Sequence, residues 1–301
     1  MHHQKGIHFM KKTLALFSAL LLLFLPVLAS AGTVTASFFP IYLFAANLLD
    51  GTEDIELHSL AQPQTGCLHD YQLSSGDLKA LSDSDVFLVN GAGMESFLSF
   101  VFDAFPDMPL VDASLGIDLL PSESGETEYN AHIWLTPANA QVMVKNLADG
   151  LCTAFPDAAE TINKNCSAYI QRLEALDAEL HSGLASLSRR DLLTFHEAFP
   201  YFALAYDLNV LAVIALEPDD ALSPGELGEL VTLIQANHLP PLFTEPQYPS
   251  LAADVLSRET GAPVFQLDPC VTAPDGDLPL DWYEQVMRKN LIVLREALGA
   301  E

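Results

Sequence analysis

The sequence predicts an α/β fold of two lobes, each a mainly parallel sheet flanked by helices, with one long spine helix joining them. Three observations predict it. Short apolar runs alternate with amphipathic stretches through both halves of the chain, the pattern of parallel strands covered by helices on both faces. A long periodic stretch with no internal proline separates the halves. Histidines recur just past the ends of predicted strands, where open α/β sheets keep their ligands.

In the first half the apolar runs Val34–Phe38, Ile55–Leu60, Val86–Asn90 and Leu110–Asp112 read as strands. Helices are expected over Tyr42–Leu49, Leu73–Leu81, Glu95–Ala104 and Pro137–Thr153. Asn90-Gly91-Ala92-Gly93-Met94 lacks the third glycine and the lysine of a phosphate-cradling loop and reads as a tight strand-to-helix turn. Pro156 then opens the spine, with apolar residues at Ala168, Ile170, Leu173, Leu176, Leu180 and Leu184. Proline suits a first helical position because its missing N–H would be unpaired there anyway. Roughly 30 residues of α-helix reach about 45 Å, enough to run the height of two lobes. In the second half strands are expected at Leu192–Phe195, Val210–Ile214, Leu242–Thr244 and Val264–Leu267. Helices should fill Ala198–Tyr206, Pro224–Ala236, Ser250–Thr260 and Trp282–Leu298. The expected organisation is a leader over 1–31, an N-terminal lobe over 32–155, a linking helix over 156–188 and a C-terminal lobe over 189–301.

The leader reading rests on Lys11 and Lys12, the apolar run Leu14 to Leu28, and Ala29-Ser30-Ala31 before Gly32, the layout of a secretory signal. The run is shorter than the ~20 residues of a spanning helix and ends near small residues. No cysteine stands at the cleavage point to carry a lipid. The mature chain is therefore expected to be exported, soluble outside the cytoplasmic membrane and monomeric. The whole chain has 13 Lys and Arg against 40 Asp and Glu, a formal charge of −27. Such a surface repels nucleic acid and anionic lipid, whose phosphates need clustered cations.

Removing the leader leaves six histidines. His58 falls within a strand, His181 on the spine and His238 at a helix end, where a histidine has ordinary structural work. The other three sit in loops or at strand ends: His69 in Thr65-Gly66-Cys67-Leu68-His69-Asp70-Tyr71, His132 in Ala131-His132-Ile133-Trp134-Leu135-Thr136-Pro137, and His196 in Leu193-Thr194-Phe195-His196-Glu197-Ala198-Phe199. Asp268 ends the last strand in Leu267-Asp268-Pro269. With Ser37-Phe38-Phe39-Pro40-Ile41-Tyr42, Thr244-Glu245-Pro246-Gln247 and the closing helix bearing Asn290-Leu291, these segments resemble, in order and spacing, the substrate-binding proteins of ABC-type zinc and manganese importers. The resemblance covers about Thr33 to Leu298.

It implies that His69, His132 and His196 are metal ligands and that an ABC-type permease is the partner. Three imidazole nitrogens and one carboxylate complete a tetrahedral zinc site. Asp268 is placed fourth, with Glu197 and Glu245 as competing carboxylates or as partners that orient a ring. Two ligands then come from each lobe, so the metal lies between them and its capture can be read as a change in lobe position. Three imidazoles favour Zn2+ over Mn2+, which prefers oxygen donors. The rival class is a secreted zinc hydrolase, since three histidines with an open fourth position would also activate a water. No His-Glu-x-x-His helix is present to support it, and the expectation is a protein that catalyses no reaction.

Four cysteines suit an oxidising compartment. Cys152 and Cys166 flank the turn Ala154-Phe155-Pro156, which pairs them and leaves Cys67 with Cys270. Cys67 and Cys270 each lie two residues from a proposed ligand, so thiolate ligation by them stays open as an alternative.

Overall fold

The computed structural model describes residues 32–62, 67–68, 71–123, 127–214, 222–247 and 251–299. The expected leader over 1–31 and His69 lie outside them.

Strands β1 (Gly32–Ala36), β2 (Ile55–Ser59), β3 (Val86–Val89) and β4 (Leu110–Asp112) form one sheet in the order β2-β1-β3-β4. Every pairing is parallel, with Val34 opposite both Leu57 and Val86. All four residues of β3 are buried, as a central strand covered on both faces requires. Helix α1 (Phe39–Leu48) follows β1, α2 (Ser75–Ser82) follows β2 and α3 (Leu98–Ala104) follows β3. The Ser74 hydroxyl accepts from Asp77 N and the Asp77 carboxylate accepts from Ser74 N, a reciprocal cap that starts α2. A single 3₁₀ turn, Ile133–Leu135, leads into α4 (Pro137–Ala154), whose first turn is capped by Thr136.

The spine is α5 (Ala159–Leu184), 26 residues long, preceded by a 3₁₀ turn over Pro156–Ala158. It buries Ile162, Cys166, Tyr169, Leu173, Leu176, Leu180 and Leu184, one stripe at steps of three and four. The spine is shorter than the periodic pattern because Pro156 starts a tighter turn. It lies against α4, α1 and the closing helix α9 (Trp282–Leu298). A Cβ on Gly183 would stand 2.8 Å from Leu291 of α9, so this glycine permits their close approach.

The second half repeats the first. Strands β5 (Asp191–Thr194), β6 (Asn209–Val213), β7 (Leu242–Thr244) and β8 (Val264–Gln266) form a parallel sheet in the order β6-β5-β7-β8. Its helices are α6 (Pro200–Ala205), α7 (Pro224–Ala236) and α8 (Leu251–Thr260). The second sheet has a small core of its own, including Leu193, Phe195, Ile234, Leu242 and Leu256. The main core runs through the first lobe, α5 and α9. In both sheets strand order reverses at the first strand, which opens a crevice at the carboxyl ends of β1 and β3 and of β5 and β7.

The two expected disulfides are not formed. Cys152 Sγ accepts from Asn163 Nδ2 at 3.4 Å and lies 3.8 Å from Ala159 O, while Cys166 is buried on the core-facing stripe of α5. Cys67 stands beside His132, and Cys270 is buried in the interior. Sequence spacing does not give the direction of each Cβ–Sγ bond, on which disulfide geometry depends.

Candidate metal centre

His196 lies two residues past β5, and Glu245 is the first residue past β7, so the two meet where the second sheet reverses its strand order. Glu245 Oε1 lies 2.9 Å from His196 Nδ1, with both side chains 3% exposed. A carboxylate only accepts, so Nδ1 carries the proton and Nε2 keeps its lone pair. Glu245 is held in turn by Gln247 Nε2, which donates to Oε2 at 2.8 Å.

The first lobe orients His132 through Asn130. The Asn130 Oδ1 accepts the His132 backbone N–H at 2.9 Å and lies 3.2 Å from His132 Nδ1. Since Asn130 Nδ2 donates to Glu197 O at 2.7 Å, the oxygen is an acceptor and His132 Nδ1 is the donor. The proton of the His132 ring thus sits on Nδ1, as in His196, and Nε2 carries the lone pair. The turn carrying His132 is anchored by Asn90 Nδ2, which donates to Ala131 O at 3.0 Å, and by Trp134 Nε1, which donates to Pro269 O at 2.8 Å.

Asn90 is itself positioned by Glu95, whose carboxylate accepts from Ser37 Oγ at 2.7 Å, Asn90 N at 2.7 Å and Gly91 N at 3.1 Å. Gly91 adopts φ +77° there, and a Cβ on it would strike the Asp112 carboxylate. Burial pushes the Glu95 carboxyl up to about 7 despite these donors.

The ring centroids of His132 and His196 are 4.7 Å apart at 83°, and both residues are 2% exposed. Cys67 Sγ stands 3.5 Å from His132 Nε2. One donor atom each from Cys67, His132 and His196 fall within 4.8 Å of one another, a cluster that could hold a metal ion. Two of the proposed histidines are thus brought together from opposite lobes.

Asp268 is not in that cluster. Its Oδ1 accepts from Cys270 N at 2.8 Å, and its backbone is clamped by Asn290, which accepts from Asp268 N and donates to Asp268 O. Burial raises its carboxyl, opposed by the Cys270 N–H and Lys289 and reinforced by the negative charge of Glu245. Of the competing carboxylates, Glu245 orients a ring. Glu197 instead joins the lobes, accepting from Ser122 Oγ at 3.1 Å and Glu123 N at 2.8 Å. Burial, Asp268 and Glu284 push the Cys270 thiol up.

His58 pairs with Glu56 at 3.6 Å on the surface, His181 meets the Tyr206 ring edge-to-face with centroids 4.8 Å apart, and the His238 carbonyl accepts from Arg189 at 2.9 Å. Asn130, which fixes the His132 ring, was not singled out from the sequence. An Asn two residues before a candidate histidine is the signal that could have found it.

The family model for the zinc-uptake complex component A periplasmic, ZnuA, matches residues 34–297. The zinc-binding lipoprotein AdcA of Streptococcus pneumoniae serotype 4 is 28% identical over 313 residues, taking in 97% of this chain and 62% of that protein. The chain therefore spans less than two thirds of that relative. The high-affinity zinc uptake system protein ZnuA of Bacillus subtilis strain 168 is 28% identical over 283 residues, 88% of this chain and 87% of that protein. Among solved structures, the Zn(II)-bound ZnuA-like domain of Streptococcus pneumoniae AdcA superimposes with a TM-score of 0.77 at 28% identity, covering 88% of this chain and 98% of that one.

Proposed function

The chain belongs to the ZnuA family of zinc-uptake complex components, and from that premise we propose that it captures one zinc ion between its lobes and delivers it to the permease of an ABC-type importer. The observation that carries this reading is the meeting of His132 and His196 from opposite lobes, with ring centroids 4.7 Å apart and both Nδ1 atoms held by acceptors. Imidazoles pinned in this way offer Nε2 to a metal without first changing tautomer, and zinc binds such nitrogens at about 2.0 to 2.1 Å.

His69 is the third imidazole of this reading, and Asp268 is the sequence-based candidate for a fourth donor. Among the described residues no helix is long and apolar enough to cross a membrane. The chain acts as an exported monomer after loss of residues 1–31, and zinc is its cargo rather than a resident cofactor. Burial of both imidazoles to 2% exposure favours a carrier over a hydrolase, which needs a coordination position open to substrate.

Metal analysis of protein purified without added metal tests the proposal. One zinc per chain is expected, with zinc preferred over manganese by at least about a hundredfold. Comparable affinities for the two metals would overturn the zinc assignment.

A further inference from the structure

We infer that Cys67 is itself a metal ligand and gives the site a sulfur donor that selects thiophilic cations; this rests on reading the His132–His196 junction as the cargo site. His132 Nε2, the nitrogen left unprotonated by the bond between Nδ1 and Asn130, faces Cys67 Sγ at 3.5 Å. In a zinc tetrahedron with nitrogen at about 2.05 Å and sulfur at about 2.3 Å, the nitrogen-to-sulfur edge is about 3.6 Å. The observed separation fits that edge, and a donor atom of His196 lies within 4.8 Å of both.

The loop is anchored beside the sulfur. Leu68 is fully buried, its carbonyl accepts from Tyr71 N at 3.1 Å, and the Tyr71 hydroxyl donates to Asp77 at 3.0 Å. Asp268, the carboxylate expected in the fourth position, already uses Oδ1 to hold the Cys270 N–H. Cys67 instead adds a sulfur donor beside the two imidazoles. Thiolate and imidazole together disfavour manganese, which takes oxygen ligands, more strongly than imidazole alone.

Cobalt(II) added to the metal-free full chain tests the assignment, because a thiolate bound to cobalt gives a charge-transfer band in the near ultraviolet that imidazole and carboxylate do not. The wild type should show this band at one cobalt per chain. Cys67→Ser should lose the band and bind zinc at least tenfold more weakly, while Cys152→Ser and Cys270→Ser keep it. Cys67→Asp, which restores an oxygen donor, should narrow the ratio of zinc to manganese affinity at least tenfold. A wild-type chain that binds one cobalt without the band, or a Cys67→Ser chain that retains it, would overturn the sulfur ligand while leaving the carrier reading intact. Failure of the wild type to bind cobalt or zinc at all would remove both.

Discussion

Glu245 accepts the Nδ1 proton of His196 at 2.9 Å, so its removal releases the ring and its tautomer together. Partners of this kind support metal affinity by about 10- to 100-fold. Glu245→Ala should weaken zinc binding by about that factor in a chelator competition, and Glu245→Gln, which can still accept, should recover most of it. Equal losses in both variants would assign the effect to packing instead. Glu95 ties the stability of the fold to pH. Its carboxyl is raised from 4.5 to about 7 in the folded chain, so the stability it contributes is fully present below about 4.5 and is lost as pH rises through about 7. The loss is roughly 3 kcal/mol at most. Urea midpoints of the metal-free protein across that window should fall for the wild type relative to Glu95→Gln, and parallel profiles would contradict the assignment. His196 was legible in the sequence because it follows a predicted strand end, and His132 because its loop segment carries the family resemblance. Which carboxylate serves which ring was not legible: Glu197 is adjacent to His196 in sequence, yet it reaches Ser122 and Glu123, while the more distant Glu245 holds the imidazole.

At the level of elements, α7 and α9 match their expected bounds because each carries its own start or stop signal. Pro224 opens α7 behind a Ser223–Glu226 capping box, and Gly299, at φ 72°, closes α9. Helix α3 begins later than expected because Glu95, expected to be its first residue, is drawn back to accept from Asn90 and Gly91. That tertiary demand is invisible in local periodicity. The spine and α9 are joined by Arg172, whose Nε lies 3.0 Å from the Glu284 carboxylate, itself 3% exposed. Burial raises the Glu284 carboxyl and Arg172 pulls it back. Arg172→Met should therefore destabilise the fold by about 3 kcal/mol at neutral pH, since it strands a buried charge. Adding Glu284→Gln should recover most of the loss, and acidification should shrink the single-mutant deficit by neutralising the stranded carboxylate. Chemical denaturation of the two variants at pH 5 and pH 8 measures this. A deficit that is independent of pH and unchanged in the double variant would contradict it.

Across the whole molecule, two parallel sheets share one strand order, and the lobes are tied where His132 and His196 meet. Glu197 binds Ser122 and Glu123, and the Tyr201 hydroxyl donates to Asn130 O at 2.9 Å. Glu197→Ala removes a tie without touching the proposed donors. It should therefore speed zinc release to an excess chelator several-fold in stopped flow; an unchanged rate would show that this contact does not hold the lobes closed. The proposed zinc seat is the point where His132 and His196 meet. Its most direct measurement is calorimetric titration of zinc into the metal-free wild type, His132→Ala and His196→Ala. One site per chain is expected in the wild type, with affinity at least tenfold weaker in each variant; wild-type affinity in both would place the zinc elsewhere.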